Sequence, residues 1–113
     1  MKWNVLTDES QLPGIMERSY VRPQVIYKHS SRCNISSIAL RRLENEPFPE
    51  TMDFHFLDLL SYRSLSNKIA EQFKVHHESP QVILLHNGEA VYDESHLSID
   101  MQDILEQTTL LSK

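Results

Sequence analysis

The chain has 113 residues, a size that fits one domain spanning residues 1–113, and its 40% hydrophobic and 24% charged content is that of a folded globular protein, not a disordered one. A formal net charge of −5 with no compensating basic run argues against a nucleic-acid backbone as partner. Asp8 and Glu9 interrupt the N-terminal stretch before a signal-peptide apolar segment can form, and runs such as Val82 to Leu85 are far too short to span a membrane. The sequence holds one cysteine and so no internal disulfide, which points to a reducing, cytoplasmic setting.

Leu12, Ile15 and Met16 have helical spacing after a cap at Asp8 or Ser10, although Pro13-Gly14 weakens that helix. Pro23 to Tyr27 reads as a strand with its proline at the start, where a missing N–H is tolerated. From Asn34 to Glu44 the spacing of Ile35, Ile38, Ala39 and Leu43 predicts a helix with those residues on its inward face, ended by Pro47 and Pro49. A strand over Asp53 to Leu57 precedes a helix over Ser64 to Phe73, where Leu65, Ile69 and Phe73 recur at four-residue spacing. Pro80 to His86 carries the apolar run of a strand buried on both faces. Asn87-Gly88 then signals a hairpin returning through Glu89 to Asp93, and a last helix follows Ser98 with Met101, Ile104 and Leu105 inward. Strands alternating with helices imply parallel pairing by crossover, and the hairpin adds an antiparallel edge. The expected architecture is α/β, with a four-stranded mixed sheet between helices.

The lone thiol, Cys33, falls where a strand turns into a helix. Unpaired N–H groups point outward at such a terminus and the helix dipole favours negative charge, hence thiolate over thiol. A free cysteine is more often a small buried hydrophobe. The preceding His29-Ser30-Ser31-Arg32 is polar throughout and predicts a loop, which favours a reactive thiol. Lys28, His29 and Arg32 are expected there as solvated charge, or as groups that stabilise the thiolate or bind carboxylates. Ser36, three residues on, is one helical turn from the sulfur, at the place where a dithiol oxidoreductase carries its second cysteine. A hydroxyl can donate a hydrogen bond to a thiolate but cannot close a disulfide, so any redox cycle must use an outside thiol. Ser79-Pro80, opening the apolar strand, is a candidate cis peptide bond, although trans is the usual state of such a bond.

His76-His77 are adjacent and point in different directions, and no metal-ligand spacing accompanies them; His29 and Cys33 alone do not make a metal site. A cysteine protease would need a base and an oxyanion hole that the sequence does not announce.

Two stretches, "YKHSSRCNISSIALRRLE" (27–44) and "SNKIAEQFKVHHESPQVILLHNGEAVYDESH" (66–96), resemble the monothiol bacilliredoxins, or YtxJ-like proteins, of the thioredoxin superfamily. The resemblance rests on a Lys-His-Ser segment leading into a Cys-x-Ile-Ser motif, on Glu-Ser-Pro-Gln, and on the later Ser-His pair. It implies a thioredoxin-like three-layer α/β/α sandwich and thiol–disulfide exchange with bacillithiol or a similar low-molecular-weight thiol as co-substrate, acting on S-thiolated client proteins. By that analogy Cys33 is the nucleophile, Ser36 stands at the resolving position, and Pro80, after Ser79, is the cis-proline opposite the active site. The family normally has proline where this chain has Asn34, which returns an N–H donor near the sulfur and bears on the redox potential. Two rivals are a non-catalytic thioredoxin-like interaction module and a monothiol glutaredoxin-like carrier, whose Cys-Gly-Phe-Ser motif is missing here.

Overall fold

A computed structural model describes residues 3–111. Its elements run β1 (Trp3–Leu6), a short 3-10 turn (Glu9–Gln11), α1 (Leu12–Arg18), β2 (Gln24–His29), α2 (Asn34–Glu44), β3 (Asp53–Asp58), α3 (Arg63–Phe73), β4 (Gln81–His86), β5 (Glu89–Ser95), a second 3-10 turn (His96–Ser98) and α4 (Met101–Leu111). The sheet has five strands in the order β1-β3-β2-β4-β5. β1, β3 and β2 are parallel, while β4 runs antiparallel to β2 and to β5.

The expected sheet had four strands, and the missing one is β1. Its pairing is clear, from Trp3 opposite Phe54 to Leu6 opposite Leu57. Only Leu6 of its residues is buried, however, and Asn4 and Val5 are exposed, so this edge strand carries neither an apolar run nor an alternating one. The remaining elements lie close to where periodicity put them. Asp8 caps the first 3-10 turn in a capping box with Gln11, and Pro13 sits in the first turn of α1, where its missing N–H costs nothing. Asn87 and Gly88 both take positive φ, as the hairpin between β4 and β5 requires.

Successive residues of β2 face opposite layers. Ile26 joins Leu57, Ile83 and Leu85 of the sheet with Leu12 and Ile15 of α1 and Leu65, Ile69 and Phe73 of α3. Val25 and Tyr27 join Phe54, Val82 and Leu84 with Ala39 and Leu43 of α2 and Met101 and Ile104 of α4. Helices thus cover both faces, in three layers. The inward face of α2 is Ser36, Ala39 and Leu43; Ile35 and Ile38, expected to be buried, are 38% and 45% exposed. The registers differ because a buried serine occupies the place that hydrophobic spacing assigns to an isoleucine. No described helix is long and apolar enough to cross a membrane.

At the end where β2 and β3 begin, a polar chain enters the core. Asp53 takes the guanidinium Nε of Arg22 at 3.5 Å and accepts from Gln24 Nε2 at 2.7 Å, and Gln24 Oε1 lies 2.8 Å from His55 Nε2. A carbonyl oxygen only accepts, so His55 carries its proton on Nε2. Burial, assisted by the Arg18 charge, pushes the His55 pKa down to about 4.

Two expectations follow from these placements. Leu43→Ala should cost about 3 kcal/mol and Ile38→Ala under about 1 kcal/mol in chemical denaturation; equal losses would restore the isoleucine face. The unfolded chain protonates His55 at its ordinary pKa near 6.5, well above the folded value, so the stability that neutral His55 contributes is complete above that pH and lost as pH falls towards about 4. The loss should reach about 3 kcal/mol, and His55→Gln should show a correspondingly shallower fall between pH 7 and 4.5.

Candidate functional site

β2 continues two residues beyond the predicted strand, so Lys28 and His29 belong to the sheet and not to a loop. The chain then turns through Ser30, Ser31 and Arg32, closed by a bond from Cys33 N–H to the Ser30 carbonyl at 3.1 Å. Cys33 is the N-cap of α2, in extended backbone (φ −114°, ψ 117°), and its carbonyl accepts the Ser37 N–H at 3.2 Å. Its side chain makes no capping bond and the residue is half-buried, at the mouth of the helix terminus. Arg32 and Asn34 on either side are exposed, and Arg32 makes no hydrogen bond or ion pair with another described residue.

Ser36 is turned into the core. It is fully buried; its Oγ accepts the Ser30 N–H at 3.0 Å and lies 2.8 Å from His29 Nδ1, while its carbonyl accepts the Tyr27 hydroxyl at 2.8 Å. Desolvation lowers the His29 pKa, which keeps the ring neutral. With the His29 proton on Nε2, Ser36 donates to Nδ1 and has no proton left for the sulfur. In the other tautomer Nδ1–H donates and the hydroxyl proton is released. The serine expected to support a thiolate is therefore first a clamp on the turn. Tyr27, whose pKa burial raises to about 12, stays protonated and holds the same helix turn. His29 lies against Tyr27 and Phe56, with ring centroids 6.1 and 5.4 Å away.

The Ser79-Pro80 bond is cis, as the sequence allowed. Lys28 pairs with Gln81 across the antiparallel register, so Pro80, immediately before, comes to the end of β2 where the turn to Cys33 begins. Pro80 is buried and its carbonyl accepts the His96 N–H at 3.0 Å. Ser79 Oγ is buried without a partner.

Lys28 departs most from expectation. Expected as loop charge, it is fully buried on the α1/α3 face, with Nζ 3.2 Å from the Ser66 carbonyl of α3 and 3.2 Å from His77 Nδ1. Its ammonium therefore serves α3 and the α3–β4 loop and not the thiol. No grouping of three His, Cys, Asp or Glu suited to a metal occurs among the described residues. A cavity of about 490 Å³ lined by Arg22, Phe48, Met52 and Asp53 lies at the opposite end of the sheet. Cys33 does not line that cavity.

The sequence pattern of the monothiol bacilliredoxin BrxC family matches residues 4–104. The chain belongs to that family. Among solved structures, a protein provisionally described as an oxidoreductase with a thioredoxin fold superposes with a TM-score of 0.80 at 29% identity, covering 92% of this chain and 91% of its own. Fasciola hepatica thioredoxin (TM-score 0.69, 16% identity, 94% and 96% covered) and Trypanosoma brucei brucei thioredoxin (0.71, 17%, 99% and 93%) share the fold. This bacilliredoxin is thus a thioredoxin-fold protein of thiol redox function. The three-layer α/β/α fold expected from its sequence is present, with a fifth strand added.

Ser36→Ala would leave the Ser30 N–H and the His29 ring nitrogen short of a partner. It should lower unfolding free energy by about 2 kcal/mol in urea titration, where an exposed helical serine would lose almost nothing.

Proposed function

We propose that this bacilliredoxin removes low-molecular-weight thiol caps from the cysteines of client proteins by way of a mixed disulfide at Cys33. The supporting observation is the placing of the chain's one thiol at the N-cap of α2, half-exposed, with a buried serine one turn on. The Cys33 thiolate attacks the cap sulfur of a client–S–S–R disulfide. One S–S bond breaks, another forms on Cys33, and the client leaves as thiolate. A second thiolate R′–S⁻ from solution then attacks the cap sulfur, giving R–S–S–R′ and free Cys33. The client sulfur is reduced and the incoming R′–S⁻ is oxidised while R stays at the disulfide level, so the electrons balance without a bound cofactor.

The remaining site residues divide by position. Arg32, exposed and uncommitted beside the sulfur, suits the carboxylates of an anionic thiol such as bacillithiol. Asn34 supplies a first-turn N–H beside the same sulfur where the family norm is a proline without one. The client chain lies against the Ser79-Pro80 backbone, at the end of β2 where the turn to Cys33 begins. Ser36 and His29 shape the turn. Lys28 is too deeply buried to touch a small thiol. A reducing cytoplasm is the setting this chemistry needs.

Incubating a bacillithiolated client with the protein should move the cap to Cys33, seen as an adduct by mass spectrometry. Cys33→Ser should abolish the transfer. Equal transfer by that variant would leave the chain an interaction module with an incidental cysteine. Arg32→Ala should slow exchange with bacillithiol disulfide about fivefold and leave an uncharged disulfide nearly unaffected.

A further inference from the structure

The mechanism above makes no use of a group of polar atoms on the other face of β2. Lys28 Nζ bridges the Ser66 carbonyl and His77 Nδ1 at 3.2 Å each, and Ser66 Oγ lies 3.4 Å from the same ring nitrogen. Gln81, opposite Lys28 in the register, donates from Nε2 to the His76 carbonyl at 2.9 Å. Two buried atoms of this stretch, Gln81 Oε1 and Ser79 Oγ, have no partner. None of the four ion pairs found among the described residues involves Lys28.

A buried ammonium without a counter-charge does not serve stability; an apolar side chain of similar volume would suit the place better. The bonds it makes give it a different use. Ser66 belongs to α3, and His76 and His77 belong to the loop that leads from α3 to Ser79, Pro80 and β4. Lys28 itself stands five residues before Cys33 on the strand that delivers the thiol. One side chain therefore ties together the strand carrying Cys33, the helix behind it and the loop carrying Pro80. An ammonium has no lone pair, so it can only donate, and His77 Nδ1 must accept. The His77 proton is then fixed on Nε2.

We propose that Lys28 is a positioning residue of the exchange site: by donating to Ser66 and His77 it seats the α3–β4 loop, holds His77 as the Nε2–H tautomer, and so sets the Ser79-Pro80 backbone against which a protein substrate lies. This rests on the proposed role of that backbone in client binding. A small disulfide needs only the sulfur and its helix terminus, so seating the loop matters for protein substrates alone.

Lys28→Met keeps the length of the side chain, removes the ammonium and should fold. Long-range proton–nitrogen NMR of labelled protein reads the His77 tautomer directly. Wild type should show the proton on Nε2, and Lys28→Met should show a mixture of tautomers. Steady-state exchange with a bacillithiolated client should fall about tenfold in the variant, chiefly through KM, while exchange with 2-hydroxyethyl disulfide stays within about twofold. His77→Leu, a change at an exposed position, should give the same client-selective loss with Lys28 intact. A wild-type His77 protonated on Nδ1, a tautomer unchanged in Lys28→Met, equal slowing of both disulfides, or normal client exchange by His77→Leu would each overturn the proposal. If wild type itself ignores the client, the de-capping reading falls and the tautomer measurement alone decides for or against Lys28.

Discussion

The turn from β2 into α2 is held by one buried hydroxyl. Ser36 Oγ takes the Ser30 N–H and shares a proton with His29 Nδ1, while its own carbonyl takes the Tyr27 hydroxyl. These three bonds fasten the start of α2 to the last residues of β2 and to the loop between them. Cys33 is half-exposed at the helix terminus, while the residue one turn later is committed to the interior.

The same bonds define what a monothiol site has in place of a second cysteine. In a dithiol protein the residue at this position carries the internal reductant. Here it carries structure, and its proton is divided between a neutral histidine and, in the alternative tautomer, the site itself. Chemistry that needs a second sulfur must recruit it from solution. That requirement fits a half-exposed Cys33 flanked by exposed Arg32 and Asn34.

Much of this was legible in the sequence, and the exceptions have physical causes. α2 spans Asn34–Glu44 as the apolar spacing and the following prolines foretold. The hairpin at Asn87-Gly88 and the apolar run of β4 were equally plain, because turn chemistry and burial on both faces leave strong local marks. β1 left none, since an edge strand with one buried residue owes its place to pairing with β3. On α2, hydrophobicity alone chose Ile35 and Ile38 for the core, whereas a hydrogen-bonding serine took the position. Lys28 was the hardest to read. Strand alternation puts it on the face of Ile26, but only the folded chain shows that Ser66 and His77 wait there to receive an ammonium.

The central claim is that Cys33 works as a solitary sulfur, and the fate of its adduct tests this most directly. Purified protein carrying one bacillithiol on Cys33 is freed of small thiols and followed by intact-mass spectrometry under non-reducing conditions. The adduct should persist unchanged and disappear promptly when fresh bacillithiol is added. An adduct that fresh bacillithiol leaves in place would contradict the account.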